Sequence, residues 1–238
     1  ATILFVGPAP GLGVSGGNIF NQRFLKSLSE RNVSVASLDD WPEILPHKLK
    51  HLIVDSLYLD SINRMDLISG NASPKKWLLL HHLQSMFPPS GISSDDFFHK
   101  NEKVAIDRFD RFLVTSPFSK AYLEKRGVDS EDIQSVQPQP PAGIRPSLKE
   151  HDPPRILVMG NLIRRKGIVP FLGAIAEIKP RPKFEMILLG RDDIEPDYAQ
   201  ACIDQINRLP RVNYGGVVPP IGTLDLWPQF DMLVSPAY

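Results

Sequence analysis

Arg155-Ile-Leu-Val-Met-Gly-Asn-Leu-Ile-Arg-Arg-Lys-Gly-Ile-Val-Pro-Phe-Leu172 is the stretch on which the reading of this chain turns. An apolar run ends on Gly160, a short basic loop follows, and Gly167 opens a second apolar run with helical spacing. Such an order predicts a strand, a tight turn and the start of a helix. The first N–H groups of a helix carry partial positive charge and point outward. With Lys166 beside them they would converge on a single anion, and a diphosphate suits that geometry. The same pattern of strand, loop and helix is the building block of an α/β fold with a parallel sheet.

Downstream of this loop the pattern repeats. Phe184–Leu189 reads as a strand ending at Gly190, Tyr198–Leu209 as a helix, and Val212-Asn-Tyr214 as a short strand before Gly215-Gly216. Gly222–Gln229 reads as a helix and Met232-Leu-Val234 as a strand. Upstream, Pro138, Pro140, Pro141, Pro146, Pro153 and Pro154 form a cluster that neither a helix nor a central strand tolerates, which predicts a linker. Before it a second α/β series is expected. Ile3–Val6 is a strand, Gly7 to Gly17 a glycine loop, and Asn18–Glu30 a helix with Ile19, Phe20, Phe24, Leu25 and Leu28 on one side. Val33–Leu38, His51–Asp55, Lys76–Leu80 and Phe112–Thr115 are strands. Asp95–Arg108 and Ser116–Arg126 are helices, the second stopped by Gly127. The expectation is two Rossmann-like domains, residues 1–146 and 147–238, the second one incomplete.

Composition narrows the function. Lys plus Arg and Asp plus Glu both number 27, and there is no basic tail or nucleic-acid motif, so no nucleic-acid partner is expected. The one cysteine, Cys202, rules out an internal disulfide framework, fits a reducing compartment and reads as a buried thiol. No His/Asp/Glu group has metal-ligand spacing, and no metal or cofactor is expected. Ala1 reads as the residue left after removal of an initiator methionine. The chain opens directly on Ile3–Val6, so no signal peptide is expected, and no apolar run approaches the roughly 20 residues of a membrane span. A cytoplasmic protein is expected, with the inner face of the membrane as the alternative place. Peripheral membrane contact has no support in the residues.

Several segments, in order, carry a resemblance. They are Ser15-Gly-Gly-Asn18 after the first strand, Leu80-His-His82 at a strand end, and Val114-Thr-Ser-Pro-Phe-Ser119 leading to Gly127-Val128. Gly160 to Lys166-Gly167, Val212-Asn-Tyr-Gly-Gly216 and Asp231-Met-Leu-Val-Ser-Pro236 follow. Together they resemble the retaining glycosyltransferases of the GT-B fold, family 4, along essentially the whole chain. The resemblance implies transfer of a sugar from a nucleotide-diphosphate sugar to an acceptor hydroxyl with retention, the acceptor being a saccharide, a lipid-linked or another small molecule. It implies His81 as the catalytic histidine at the cleft, and Gly16, Gly17 and Asn18 near the donor. Gly160, Arg164, Arg165 and Lys166 would hold its diphosphate, with one of the two arginines in contact. Tyr214 and Gly215 would border the nucleobase. His82 falls on the opposite side of an extended strand and reads as structural.

Two positions depart from the family pattern. Asn161 stands where many members carry arginine, and the chain ends at Tyr238 before the paired-glutamate motif. The resemblance therefore implies a truncated enzyme, inactive as this 238-residue chain alone. Other readings stay open. Gly11-Leu-Gly-Val-Ser-Gly16 matches the dinucleotide fingerprint G-x-G-x-x-G, with Asp39 or Asp40 about where a ribose-binding acid belongs, and would suit an NAD(P)-dependent oxidoreductase. Pro8 and Pro10 stand between strand and motif and speak against it. A non-catalytic GT-B fragment that binds phosphorylated ligands is the third reading.

Overall fold

The computed structural model describes residues 2–8, 16–31, 35–38, 43, 48–67, 73–88, 91–138, 150–180, 182–218 and 226–237. The chain divides into two compact units, Ala1–Pro140 and Pro141–Tyr238.

In the first unit six strands form one parallel sheet: β1 (Ile3–Val6), β2 (Val35–Leu38), β3 (His51–Asp55), β4 (Lys75–Leu80), β5 (Arg111–Val114) and β6 (Ile133–Ser135). Their order is β2-β1-β3-β4-β5-β6. Successive strands therefore diverge at β1, with β2 on one side and β3 on the other. In doubly wound folds ligands bind beyond the carboxyl ends of the strands at such a point. Side-chain alternation builds the two faces. Leu4, Val6, Leu52, Val54, Leu78 and Leu80 pack with α2 (Ser94–Asn101), α3 (Lys103–Ile106) and α4 (Pro117–Lys125) through Phe98, Ala105, Ile106 and Leu123. Phe5, Ile53, Leu79 and Leu113 face the other way, onto α1 (Gly16–Glu30) through Phe20. Carried one residue past β4, this alternation sends His81 to the α1 face and His82 away from it.

Local signals explain the helix ends. Ser93 caps α2 by accepting the Asp96 N–H at 3.1 Å, and Ser116 caps α4 by accepting the Ser119 N–H at 3.1 Å with Pro117 in the first turn. Gly127, at φ 86°, ends α4 in the left-handed region. Two expectations are corrected. Asp95–Arg108 is two helices rather than one, broken at Glu102, whose buried carboxylate turns inward to accept from the N–H and hydroxyl of Ser85. Gly16 and Gly17 lie in the first turn of α1 rather than in the loop before it. Ser56–Leu67, which gives no clear period in the sequence, is a 3-10 helix. The fingerprint glycines Gly11 and Gly13, and Asp39 and Asp40, lie outside the described residues.

In the second unit β7 (Arg155–Met159), β8 (Glu185–Leu189), β9 (Val212–Tyr214) and β10 (Met232–Val234) form a separate parallel sheet ordered β10-β7-β8-β9. Val158, Met186, Leu188 and Val212 pack against α5 (Ile168–Glu177) and α6 (Pro196–Ile206) through Ile168, Leu172, Ala199 and Cys202. The α/β class and the separation of Val6 and Val158 into different sheets stand as expected. Of the helix expected over Gly222–Gln229, the described residues show a short 3-10 turn at Trp227–Gln229. Cys202 is buried, and that burial pushes its thiol up to about 11, so it is inert at neutral pH. No described helix is long and apolar enough to cross a membrane.

Candidate functional site

At the divergence of β1 and β3 the chain brings together four elements. Gly7 follows β1, Asp55 ends β3, His81 follows β4, and Asn21 lies in the second turn of α1. Gly7 permits the approach: a Cβ there would lie 2.5 Å from the Phe5 ring and 3.0 Å from Asp55 Cβ. Asp55 is fully buried and Asn21 nearly so, at 3% exposure. Neither would be buried without partners, because an unsatisfied polar group in the interior is costly. Asn21 Nδ2 donates to Asp55 Oδ2 at 2.6 Å, and the Leu57 N–H donates to Asp55 Oδ1 at 2.9 Å. His81 Nε2 lies 3.0 Å from Asn21 Oδ1 and 3.4 Å from Asp55 Oδ2. Ser56 Oγ accepts the His81 N–H at 3.3 Å.

The ring is held as firmly as its nitrogen. Phe20 meets it edge-on, centroids 5.5 Å apart at 83°. Gly17 lies against it, since a Cβ at that residue would stand 3.4 Å from His81 Cδ2. Burial alone would push the Asp55 carboxyl up. The hydrogen bond and charge of His81, the Leu57 N–H and the Asn21 amide outweigh that effect and hold it below its ordinary 3.8. Asp55 is therefore an anion at neutral pH, sealed from water, with a partly exposed imidazole as its outlet. Of the residues expected near the donor on this unit, His81 and Gly17 meet at this corner, while Gly16 and Asn18 flank Gly17 in the first turn of α1. Across the sheet, His82 lines a cavity of about 350 Å³ with Ser56, Asp60, Asn63, Gln84 and Glu102 among its walls, on the side of α2 and α3.

In the second unit the predicted phosphate loop has the expected order. Gly160 follows the end of β7, Arg164–Lys166 makes a 3-10 turn, and Gly167 at φ 61° is the left-handed residue from which α5 starts. The loop is welded to the end of β8. Gly160 N–H donates to Leu189 O at 2.8 Å, Leu162 N–H to Arg191 O at 2.8 Å, and Arg191 N–H to Asn161 Oδ1 at 3.2 Å. Asn161 thus locks the loop to the end of β8. Lys166 lays its stem over Gly160, 3.5 Å from where a Cβ would be. Burial, and secondly the charge of Arg165, pulls its ammonium below the usual 10.5. Among the described residues no carboxylate pairs with it.

Arg164 is engaged elsewhere: its N–H donates to Glu195 Oε2 at 3.2 Å and its guanidinium lies 5.6 Å from the Tyr198 ring centre. The N–H of Val169 is taken by the Tyr198 hydroxyl at 3.1 Å, and Pro170 has none. Two of the helix-end donors are therefore unavailable to an anion, and the charge available at the loop is that of Lys166 and Arg165. Among the described residues no group of three or more His, Cys, Asp or Glu gathers as a metal site.

No protein-family model matches the sequence, and no curated protein matches it either. Solved structures do. HepE of Anabaena in complex with UDP superposes with a TM-score of 0.63 at 17% identity, covering 100% of this chain and 74% of its own. A glycosyltransferase from Rickettsia africae gives 0.57 at 14% identity, over 99% of this chain and 72% of its own. The lipopolysaccharide outer core galactosyltransferase WaaB gives 0.55 at 15% identity, over 94% and 70%. The fold is that of GT-B glycosyltransferases.

Within that fold the residues expected at the nucleobase are placed as follows. Tyr214 ends β9 and donates its hydroxyl to Gly190 O at 2.8 Å, so it braces the β8 turn. Burial first, then Asp192, raises its phenol above the ordinary value. Gly215 packs where a Cβ would come within 2.7 Å of Leu189. Sequence reading missed Asn21 and Asp55. A usable signal existed in each: Asp55 is a carboxylate terminating an otherwise apolar strand, and Asn21 is an amide between Phe20 and Phe24, on the side of α1 that packs on the sheet.

Proposed function

We propose that the chain is the body of a glycosyltransferase that takes a nucleotide-diphosphate sugar as donor and transfers the sugar to an acceptor hydroxyl with retention. Lys166 carries this reading: a half-buried cation with no carboxylate partner among the described residues, laid over a strand-ending glycine in a GT-B fold. An ammonium kept partly from water, with a second cation next to it, is poised to gain from an arriving anion. The diphosphate of the donor meets Lys166 and Arg165 over the Gly160 turn. Tyr214 and Gly215 border the base, and Gly16, Gly17 and His81 meet the sugar. As the bond from the anomeric carbon to the diphosphate oxygen breaks, negative charge grows on that oxygen and Lys166 stabilises it. The acceptor hydroxyl attacks on the face the diphosphate leaves, and its proton passes to a leaving-phosphate oxygen. The acceptor is a saccharide, a lipid-linked or another small molecule, and the family 4 pattern is the one the residues resemble.

HepE structures hold UDP and UDP-glucose, so uridine nucleotides are the first to try. Isothermal titration of the chain with UDP, GDP, ADP and NAD(H) is the test. Binding of a nucleoside diphosphate that weakens roughly ten- to hundredfold in Lys166→Ala is expected, the range for one charge-assisted hydrogen bond of about 1.5–3 kcal/mol. Unchanged affinity in Lys166→Ala, or micromolar NAD(H) with no nucleoside diphosphate bound, would overturn the reading.

A further inference from the structure

We infer that Asp55 and Asn21 are positioning residues that fix the proton of His81 on Nε2 and present its Nδ1 lone pair as an acceptor, the partner a sugar hydroxyl needs. The transferase reading enters only in the last clause, as the source of that hydroxyl.

Hydrogen-bond bookkeeping leaves one solution. An ionised carboxylate can only accept, and Asp55 is buried with both oxygens engaged. At 2.6 Å from Asp55 Oδ2, Asn21 must present its NH2 group, because two oxygens at that distance would repel. The Asn21 carbonyl oxygen is then the atom at 3.0 Å from His81 Nε2. Asp55 Oδ2, at 3.4 Å, is the other neighbour of that nitrogen. Both are acceptors, so Nε2 must carry hydrogen. In the neutral ring this leaves the lone pair on Nδ1, to which no described residue bonds. The ring is hemmed in against turning: Phe20 packs on it at 83° and Gly17 lies against its Cδ2 side.

Long-range proton–nitrogen correlation spectra of the nitrogen-15-labelled chain at mildly alkaline pH read the tautomer directly. His81 is assigned by the signal that vanishes in His81→Gln. The expected result is a pyrrole-type shift for Nε2 and a pyridine-type shift for Nδ1 in the ligand-free chain. Asp55→Asn frees the amide at residue 21 to face either way, so the His81 shifts should move toward those of a tautomer mixture while the backbone amide spectrum stays folded. Asn21→Ser, which keeps a small polar side chain, serves the same purpose should Asp55→Asn unfold. A His81 protonated on Nδ1, or a wild-type ring already averaging both forms, overturns the inference. The tautomer is read without ligand, so failure of every nucleotide to bind would count against the proposed function alone.

Discussion

Replacing Gly190 by alanine should unseat the phosphate loop. A Cβ at residue 190 would fall 2.0 Å from Gly160 O, 2.4 Å from Gly160 C and 2.8 Å from Asn161 N. All three are backbone atoms, so no side chain can swing away. Ordinary contact begins near 3.4 Å, so the ends of β7 and β8 must part by roughly 1.4 Å. A retreat of that size carries the Gly160–Leu189 and Leu162–Arg191 bonds, both 2.8 Å, beyond hydrogen-bonding range. At about 1 kcal/mol for each lost bond and about 1–3 kcal/mol for the strain, the variant should lose about 3–5 kcal/mol. With a urea slope of about 2 kcal/mol per molar, the transition of the second unit should fall by about 2 M. Urea melts followed by hydrogen exchange on peptides spanning β7 and β8 would measure it. Gly173→Ala is the control, because its nearest neighbour is a flexible Gln205 end at 4.0 Å and the site is helical. It should be neutral or stabilising by up to about 1 kcal/mol. A Gly190→Ala midpoint equal to that of Gly173→Ala would refute the reasoning.

Acid should act on the first unit through Asp55. Its folded carboxyl lies below the unfolded value of 3.8, so its contribution is complete above that value and is lost as pH falls through the folded one. Acid melts of the wild type should therefore steepen below pH 3.8, and those of Asp55→Asn should start less stable at neutral pH and lack that extra slope. Gly17→Val should displace the His81 ring, since even one Cβ stands 3.4 Å from it, and, on the proposed function, lower transfer more than it lowers stability; unchanged transfer in the variant would contradict this. Phe98→Ala should cost about 3–5 kcal/mol, because the ring is 1% exposed and supports the Arg126 guanidinium 5.1 Å away. A loss under about 1 kcal/mol, read by urea melts, would show that α2 is not part of the core.

What the sequence reveals here follows the range of the interactions. The Gly160–Gly167 loop is legible because every ingredient of strand, turn and helix start lies within a dozen neighbours. Even there the occupants of Arg164 and Val169, namely Glu195 and Tyr198 from the next crossover, are invisible to local reading. His81 is legible only because a strand end singles it out. Asp55 and Asn21 are not, because the bond between them spans 34 residues and depends on which strand lies beside β1. The strand order is a tertiary choice that periodicity does not encode. β6 escaped notice for a different reason: of Ile133–Ser135 only Ile133 is buried, so the strand shows no alternation to detect. Glu102 broke a helix whose local propensities run straight through it, because a partner at Ser85 outcompeted them.

Each pairing described in the two sheets is parallel, so no strand docks on its neighbour through a tight hairpin. Every ladder waits for a crossover to close, which makes the contacts non-local and the search slow. The Asn21–His81 bond spans 60 residues and needs three strands in register before it can form. The corner around His81 is therefore among the last features a newly made chain can acquire. A molecule held there would bind the finished unit and nothing earlier, adding about 2.7 kcal/mol to its stability at a hundredfold excess over Kd. The supply of such a ligand would then set how much of the polypeptide escapes unfolding and proteolysis.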